Sequence, residues 1–177
     1  MNHADHVALI REGIPQVGGV WADFGSGTGA FTLALADCLG PSGQIYSIDK
    51  SERALREQQR EMNGRFPQTR VTYLIADYTR PLDLPPLDGI LIANALHFQR
   101  RKEGIVRQLY DYLRPGGRLI MVEYNLDRGN IWVPHPFSYP TWETIASRSG
   151  FVQTQKLNVR PSRFLREIYS AVCQKPA

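Results

Sequence analysis

Cysteine is scarce. The 177 residues hold two, Cys38 and Cys173, with no Cys-x-x-Cys or Cys/His spacing, which excludes a disulfide framework and a cysteine-built zinc site. Both sit in apolar stretches and read as small core hydrophobes. No apolar run approaches the roughly 20 residues a membrane-crossing helix requires. No charged-then-apolar leader with a small-residue cleavage site opens the chain, so the expectation is a cytoplasmic protein with no membrane segment. A strong charge of one sign is lacking too: the net charge is +4, and arginines are scattered except at Arg100, Arg101 and Lys102. Such mild charge does not favour a nucleic-acid partner. His3 and His6 stand at helical i, i+3 spacing but lack a further His, Cys or carboxylate cluster, so no metal site is expected.

What is present is an ordinary globular balance, 42% hydrophobic and 21% charged, over a length that suits one domain burying roughly two-thirds of its unfolded surface. The chain is organised around the stretch from Val20 to Phe31. There an apolar run passes through Asp23 and three alternate glycines, Gly25, Gly27 and Gly29, with Ser26 and Thr28 between them. Phe31, Leu35, Cys38 and Leu39 then recur with the spacing of an amphipathic helix. Glycines permit a sharp turn and close approach of backbone to ligand, and the first amides of the helix favour a carboxylate or phosphate. Asp23 would repel an anion and attract a cation or hydroxyl donor. The ligand read from these residues carries both kinds of group.

Alternating strands and helices follow. Gln44–Asp49, Val71–Ile75, Leu87–Ala93 and Leu119–Tyr124 read as strands, and Glu52–Asn63, Lys102–Leu113 and Thr141–Ser149 as helices. Phe151–Val159 and Phe164–Gln174 read as a closing hairpin, and Met1–Gly13 as a short helix. The architecture expected is α/β: a doubly wound, mainly parallel seven-stranded sheet with an antiparallel edge strand. Over residues 1–177 one domain is expected, divided into a helical segment (1–19), a core (20–124), an aromatic and proline-rich loop (125–140) and a closing helix and hairpin (141–177).

Asp-Phe-Gly-Ser-Gly-Thr-Gly at 23–29 resembles the first motif of the class I S-adenosylmethionine-dependent methyltransferases, an acidic residue followed by Gly-x-Gly-x-Gly. A dinucleotide-binding dehydrogenase more typically shows Gly-x-Gly-x-x-Gly. The turn Leu113-Arg114-Pro115-Gly116-Gly117 is similar to a second element of that family and stands in the expected order after the fourth strand and helix. Together these features cover roughly Val20 to Glu123.

The resemblance implies S-adenosyl-L-methionine as cofactor, held by Asp23, Gly25, Ser26, Gly27, Thr28 and Gly29. Asp49, about 20 residues beyond the glycines and followed by Lys50, is placed to accept both ribose hydroxyls; its alternative role is to cap the helix starting near Ser51. By the same resemblance Asp77 and Tyr78 meet the adenine, with a turn aspartate leading into Thr79 as the alternative for Asp77. The Ala93 carbonyl would hold the methionine ammonium, with Asn94 nearby. The Asn/Asp-Pro-Pro-Tyr/Phe tetrapeptide of amino-methyltransferases is missing from 94–97, which argues against base or amide nitrogen as acceptor.

A small-molecule acceptor is therefore expected, on a loose likeness to the quinone-precursor branch. His97 is the candidate general base, with Glu123 and His135 also on strand ends or loops. Trp132, Pro134, His135, Pro136, Phe137 and Tyr139 either roof the acceptor pocket, the role expected of the 125–140 loop, or plug the open top of the domain. So short a chain covers its pocket lightly, which invites a homodimer mate, another partner or a bulky substrate. The competing readings are an RNA or protein methyltransferase and a non-catalytic cofactor-binding module.

Overall fold

Leu87–Ala93 has almost no polar residue to turn toward water, and a strand covered on both faces is the arrangement that buries such a run. It forms β4 at the centre of the sheet. The computed structural model describes every residue except Arg163. The strands are β1 (Gly19–Phe24), β2 (Gly43–Asp49), β3 (Arg70–Ile75), β4, β5 (Leu113–Tyr124), β6 (Val152–Pro161) and β7 (Glu167–Gln174). The helices are α1 (His3–Ile10), α2 (Ala30–Leu39), α3 (Glu52–Arg65), α4 (Glu103–Tyr112) and α5 (Tyr139–Arg148).

The seven strands lie in the order β3-β2-β1-β4-β5-β7-β6. The first five are parallel, while β7 runs antiparallel to both neighbours. The antiparallel strand thus stands second from the margin, inserted between β5 and β6, and β6 forms the edge. Strand order reverses between β1 and β4, so their carboxyl ends part and leave a crevice.

Alternate residues of the sheet feed two cores. Phe24, Ile92, Met121 and Tyr169 pack with Trp142 of α5 and Val106 of α4. Trp21, Leu91, Ile120 and Val122 pack on the other face with Leu9 and Ile10 of α1 and Leu35 of α2. No helix joins β3 to β4. The proline-bearing link instead lies against α4, where the Leu82 amide donates to the Tyr112 hydroxyl (2.7 Å) and the Gln108 side chain donates to the carbonyls of Tyr78 (3.0 Å) and Arg80 (3.1 Å). The Arg-Pro-Gly-Gly turn appears as an irregularity within β5: the pairing jumps from Leu87↔Leu113 to Gly89↔Arg118, and Gly116 takes φ 76°. Among the described residues no helix is long and apolar enough to cross a membrane.

Candidate active site

Between β1 and α2 the chain turns through Gly25, Gly27 and Gly29, at φ 73°, 54° and 91°. At Gly25 a Cβ would lie 2.8 Å from Ala95 Cβ and 3.4 Å from the Tyr78 ring, so the bare Cα lets three segments meet. At Gly29 it would run into the side chain of Gln58. The loop's amides are anchored behind it: Gly25 and Ser26 both donate to the Ile48 carbonyl (2.8 and 3.1 Å), Gly29 to the Ser26 carbonyl (3.0 Å), and Gly27 to Asp49 Oδ2 (2.9 Å). Gly29 caps α2 without a side-chain acceptor, leaving first-turn amides of the helix suited to an anion.

Asp49 ends β2 and accepts from two backbone amides, Gly27 through Oδ2 and Ser51 through Oδ1 (2.8 Å). The cap of α3 is Ser51, whose Oγ accepts from the Ala54 amide (3.3 Å), so Asp49 braces the residue that caps rather than capping the helix itself. A carboxylate offers about four lone-pair sites, and two remain. Asp77, just beyond β3, makes the turn that the alternative reading described: Oδ1 accepts from the Thr79 hydroxyl (2.7 Å) and amide (2.9 Å). These bonds hold its carboxyl below the usual range. Its other oxygen carries no hydrogen bond among the described residues. Tyr78 donates its hydroxyl to the Ala95 carbonyl (2.8 Å), and burial pushes its phenol up to about 12.

These ends surround a cleft of about 440 Å³. Of the residues expected at a site, Gly25, Asp49, Lys50, Asp77, Tyr78 and Asn94 line it. Ala76, Thr79, Ala95, Phe98 and Gln99 line it too, unannounced except by following strand ends. Asn94 adopts φ 51°, rare outside glycine, with its amide on the Val122 carbonyl (2.8 Å) and its side-chain oxygen buried without a partner.

Other expected residues stand behind the wall. Ser26, Gly27, Thr28, Gly29 and Ala93 shape the loop and strand end without lining the cleft. Asp23 is 1% exposed and accepts from Thr32 Oγ1 at 2.6 Å. Burial pushes its carboxyl up to about 7, with the Thr32 bond opposing and the charge of Asp49 reinforcing that shift.

His97 is buried as well. Its Nδ1 lies 2.8 Å from Glu123 Oε2, and its amide donates to Glu123 Oε1 (3.1 Å). A carboxylate only accepts, so Nδ1 carries the proton. The imidazole lies tilted against the Phe98 ring, centroids 4.2 Å apart, and Phe98 lines the cleft while His97 does not. His135 reaches this dyad through its backbone alone, donating its amide to the His97 carbonyl (2.9 Å).

None of residues 125–140 lines the cleft. Val133 and Phe137 are buried, Phe137 within the core under α5, while Ile131 and Trp132 stand 89% and 70% exposed. The base of this loop thus packs into the domain at Val133 and Phe137, while its tip stands out in solvent. His3 bonds Asp37 (2.9 Å) and His6 lies tilted against the Phe31 ring (centroids 4.7 Å apart). No group of three or more metal-ligating residues occurs among the described residues.

A family model described as a methyltransferase domain matches residues 22–119, more than half of the chain. The ubiquinone/menaquinone biosynthesis C-methyltransferase UbiE of Azotobacter vinelandii is 29% identical over 122 residues, covering 66% of this chain and 48% of that protein. The chain spans about half the length, or less, of such curated relatives. A phosphoethanolamine N-methyltransferase of Haemonchus contortus, solved with phosphomonomethylethanolamine and S-adenosylhomocysteine, superposes with TM-score 0.81 at 15% identity, over 98% of this chain and 53% of that one. A S-adenosylmethionine-dependent methyltransferase of Aquifex aeolicus gives 0.74 at 18%, over 96% and 89%. At those identities the structural likeness concerns fold. The strand order, the glycine loop at its reversal and the family match running from β1 into β5 agree: the chain belongs to the class I S-adenosylmethionine-dependent methyltransferases.

Proposed function

We propose that the cleft binds S-adenosylmethionine and that the chain transfers the methyl group to a small-molecule acceptor. The observation that carries this reading is convergence. Gly25, Asp49, Asp77 and Asn94 follow or end four neighbouring strands, β1, β2, β3 and β4, and meet in one cleft beside the reversal of strand order. Its volume falls in the range of small-molecule sites.

In this reading the two unused lone-pair sites of Asp49 take the ribose hydroxyls. The free oxygen of Asp77 and the Tyr78 amide take the adenine edge. The uncapped start of α2 takes the carboxylate, and the Ala93 carbonyl the ammonium. When bound, the cofactor supplies a methyl group already activated by its positive sulfur. What remains for the protein is to orient the acceptor in line and keep water away. The buried, unpartnered Asn94 oxygen suits an acceptor that presents an N–H or O–H. His97, its Nδ1 engaged by Glu123, has Nε2 left to take a proton from an acceptor that must lose one; the ring is buried off the cleft behind Phe98, so this role requires the exposed Phe98 ring to swing aside. The low-identity likeness to a quinone C-methyltransferase supports an aromatic carbon among the acceptor atoms to be tried.

Thermal unfolding with saturating S-adenosylmethionine, S-adenosylhomocysteine and NAD in parallel tests the cofactor half. A ligand at 100 times its Kd stabilises by about 2.7 kcal/mol, which in a domain of this size raises the midpoint by roughly 5 to 11 °C. A rise with both sulfur compounds and none with NAD is expected. No rise with either would remove the reading. Turnover across an acceptor panel by the parent and by His97→Ala then tests transfer and the proton-accepting role.

A further inference from the structure

α3 buries one stripe, Leu55, Gln58 and Met62, and the middle member is the anomaly: a glutamine with no exposure in a position that an apolar side chain would fill. Its amide joins three elements. Gln58 Oε1 lies 3.0 Å from Ser47 Oγ on β2 and 3.3 Å from Ser26 Oγ in the glycine loop, and the two hydroxyls are 2.7 Å apart. Each hydroxyl has one proton. The arrangement closes when Ser47 donates to Ser26 and Ser26 to Gln58, and equally when Ser26 donates to Ser47 and Ser47 to Gln58. The aliphatic stem of Gln58 lies where a Cβ on Gly29 would stand, so it fills the space behind the loop that this glycine leaves.

Gln58 Nε2 is buried with no partner. Turning the amide over exchanges donor for acceptor and still leaves one half unpaired. An unmet buried polar group destabilises the fold, whereas a methionine here would keep the packing without it. The gain from glutamine therefore lies in what its other half holds, which is the shape of the loop. We infer that Gln58 and Ser47 are positioning residues that latch Ser26, and with it the glycine loop, in the form the cofactor meets. The inference rests on the cofactor reading above, and its mechanism is pre-organisation: a loop already held loses little freedom on binding.

The test uses Gln58→Met, Ser47→Ala and the double variant of the full chain, with three readouts. Thermal unfolding reports the fold, hydrogen exchange without ligand reports the amides of 25–29, and calorimetry reports the Kd of S-adenosylhomocysteine. Gln58→Met is expected to leave the midpoint unchanged or raise it, to speed exchange at 25–29 but not elsewhere, and to weaken Kd by about 10-fold. The double variant should bind no worse than Gln58→Met, because both changes open one latch. Unchanged exchange at 25–29, or faster exchange everywhere with a lowered midpoint, would overturn the latch. Failure of the parent to bind S-adenosylhomocysteine would instead overturn the cofactor reading, and the exchange result would still decide whether the loop is held.

Discussion

The two sides of the cleft are built by different means. On the side of β1, β2 and β3, hydrogen bonds to the main chain set the shape: amides of Gly25, Ser26, Gly27, Gly29, Ser51 and Thr79 all end on nearby acceptors, several of them on Asp49 and Asp77. On the side of β4 and β5, shape comes from packed side chains: the buried His97–Glu123 pair, the exposed Phe98 ring tilted against His97, and the buried base of loop 125–140 at Val133 and Phe137. Backbone hydrogen bonds hold a surface in one form while leaving polar groups to meet a ligand. Packing fixes a wall but presents few polar atoms. The contrast suits a cofactor shared by a whole class on one side and an acceptor peculiar to each member on the other.

If the second side is held by packing, Phe137→Ala should be the most damaging single change. The ring is 1% exposed, lies 6.1 Å from Trp142, carries Lys102 Nζ at 5.0 Å over its face, and its carbonyl accepts from Tyr169 (3.1 Å). Loss of about 4 kcal/mol in urea unfolding is expected. A loss below about 1 kcal/mol would mean that the loop merely rests on the sheet.

Asp23 probes the first side from below. Burial, which favours the neutral form, pushes its folded carboxyl up to about 7 from the ordinary 3.8. Below the lower value both folded and unfolded chains hold the proton and this residue contributes nothing to pH dependence. Between the two values only the folded chain holds it, so stability falls as pH rises through that window and stays reduced above 7. Asp23→Asn, which can still accept from Thr32, should remove this slope and stabilise the protein at pH 8 by on the order of 3 kcal/mol. The comparison of urea curves at pH 4 and pH 8 checks it: parent and variant that differ equally at both would show that Asp23 does not titrate in this way.

Asp49→Ala removes the anchor of Gly27 and Ser51 together with the ribose acceptor assigned to it. We expect S-adenosylhomocysteine to bind roughly 30- to 100-fold more weakly, and the ligand-free midpoint to move far less than in Phe137→Ala. Unchanged affinity would strip Asp49 of the ribose role and blur the distinction between the two sides.

The same contrast explains what could be read in advance. Strand ends and the glycine loop follow from local pattern: an apolar run, a turn that needs positive φ, an acid at a fixed distance. That Gly25, Asp49 and Asp77 stand around one cleft was legible for that reason. The position of β7 between β5 and β6 was not, because two strands of a hairpin look alike until a neighbour chooses one of them. How loop 125–140 divides between a packed base and an exposed tip depends on which side chains reach the core. Proline and aromatic content does not encode that. His97 stood out as a histidine, but its partner Glu123 lies 26 positions away, and burial of both is a tertiary fact. Gln58 falls within the helix expected at Glu52–Asn63, with nothing local to show that its amide faces two serines.

The smallest expected effect lies at the tip of loop 125–140. Trp132 is 70% exposed and Ile131 89%, and neither belongs to either core. What orders the tip is Asn130, whose side-chain oxygen accepts from the amides of Trp132 (2.8 Å) and Val133 (2.9 Å), while its own amide donates to the Val133 carbonyl (3.0 Å). These bonds involve the main chain at 132 and do not need the indole. Trp132→Ala should therefore change unfolding stability by less than about 0.5 kcal/mol, the ordinary range for a surface position, a few residues from a Phe137 whose loss is severalfold larger. Urea unfolding of the two variants side by side measures the gradient along the loop. A Trp132→Ala loss comparable to that of Phe137→Ala would mean that the indole is covered in solution, and the packed part of the loop would then extend to its tip.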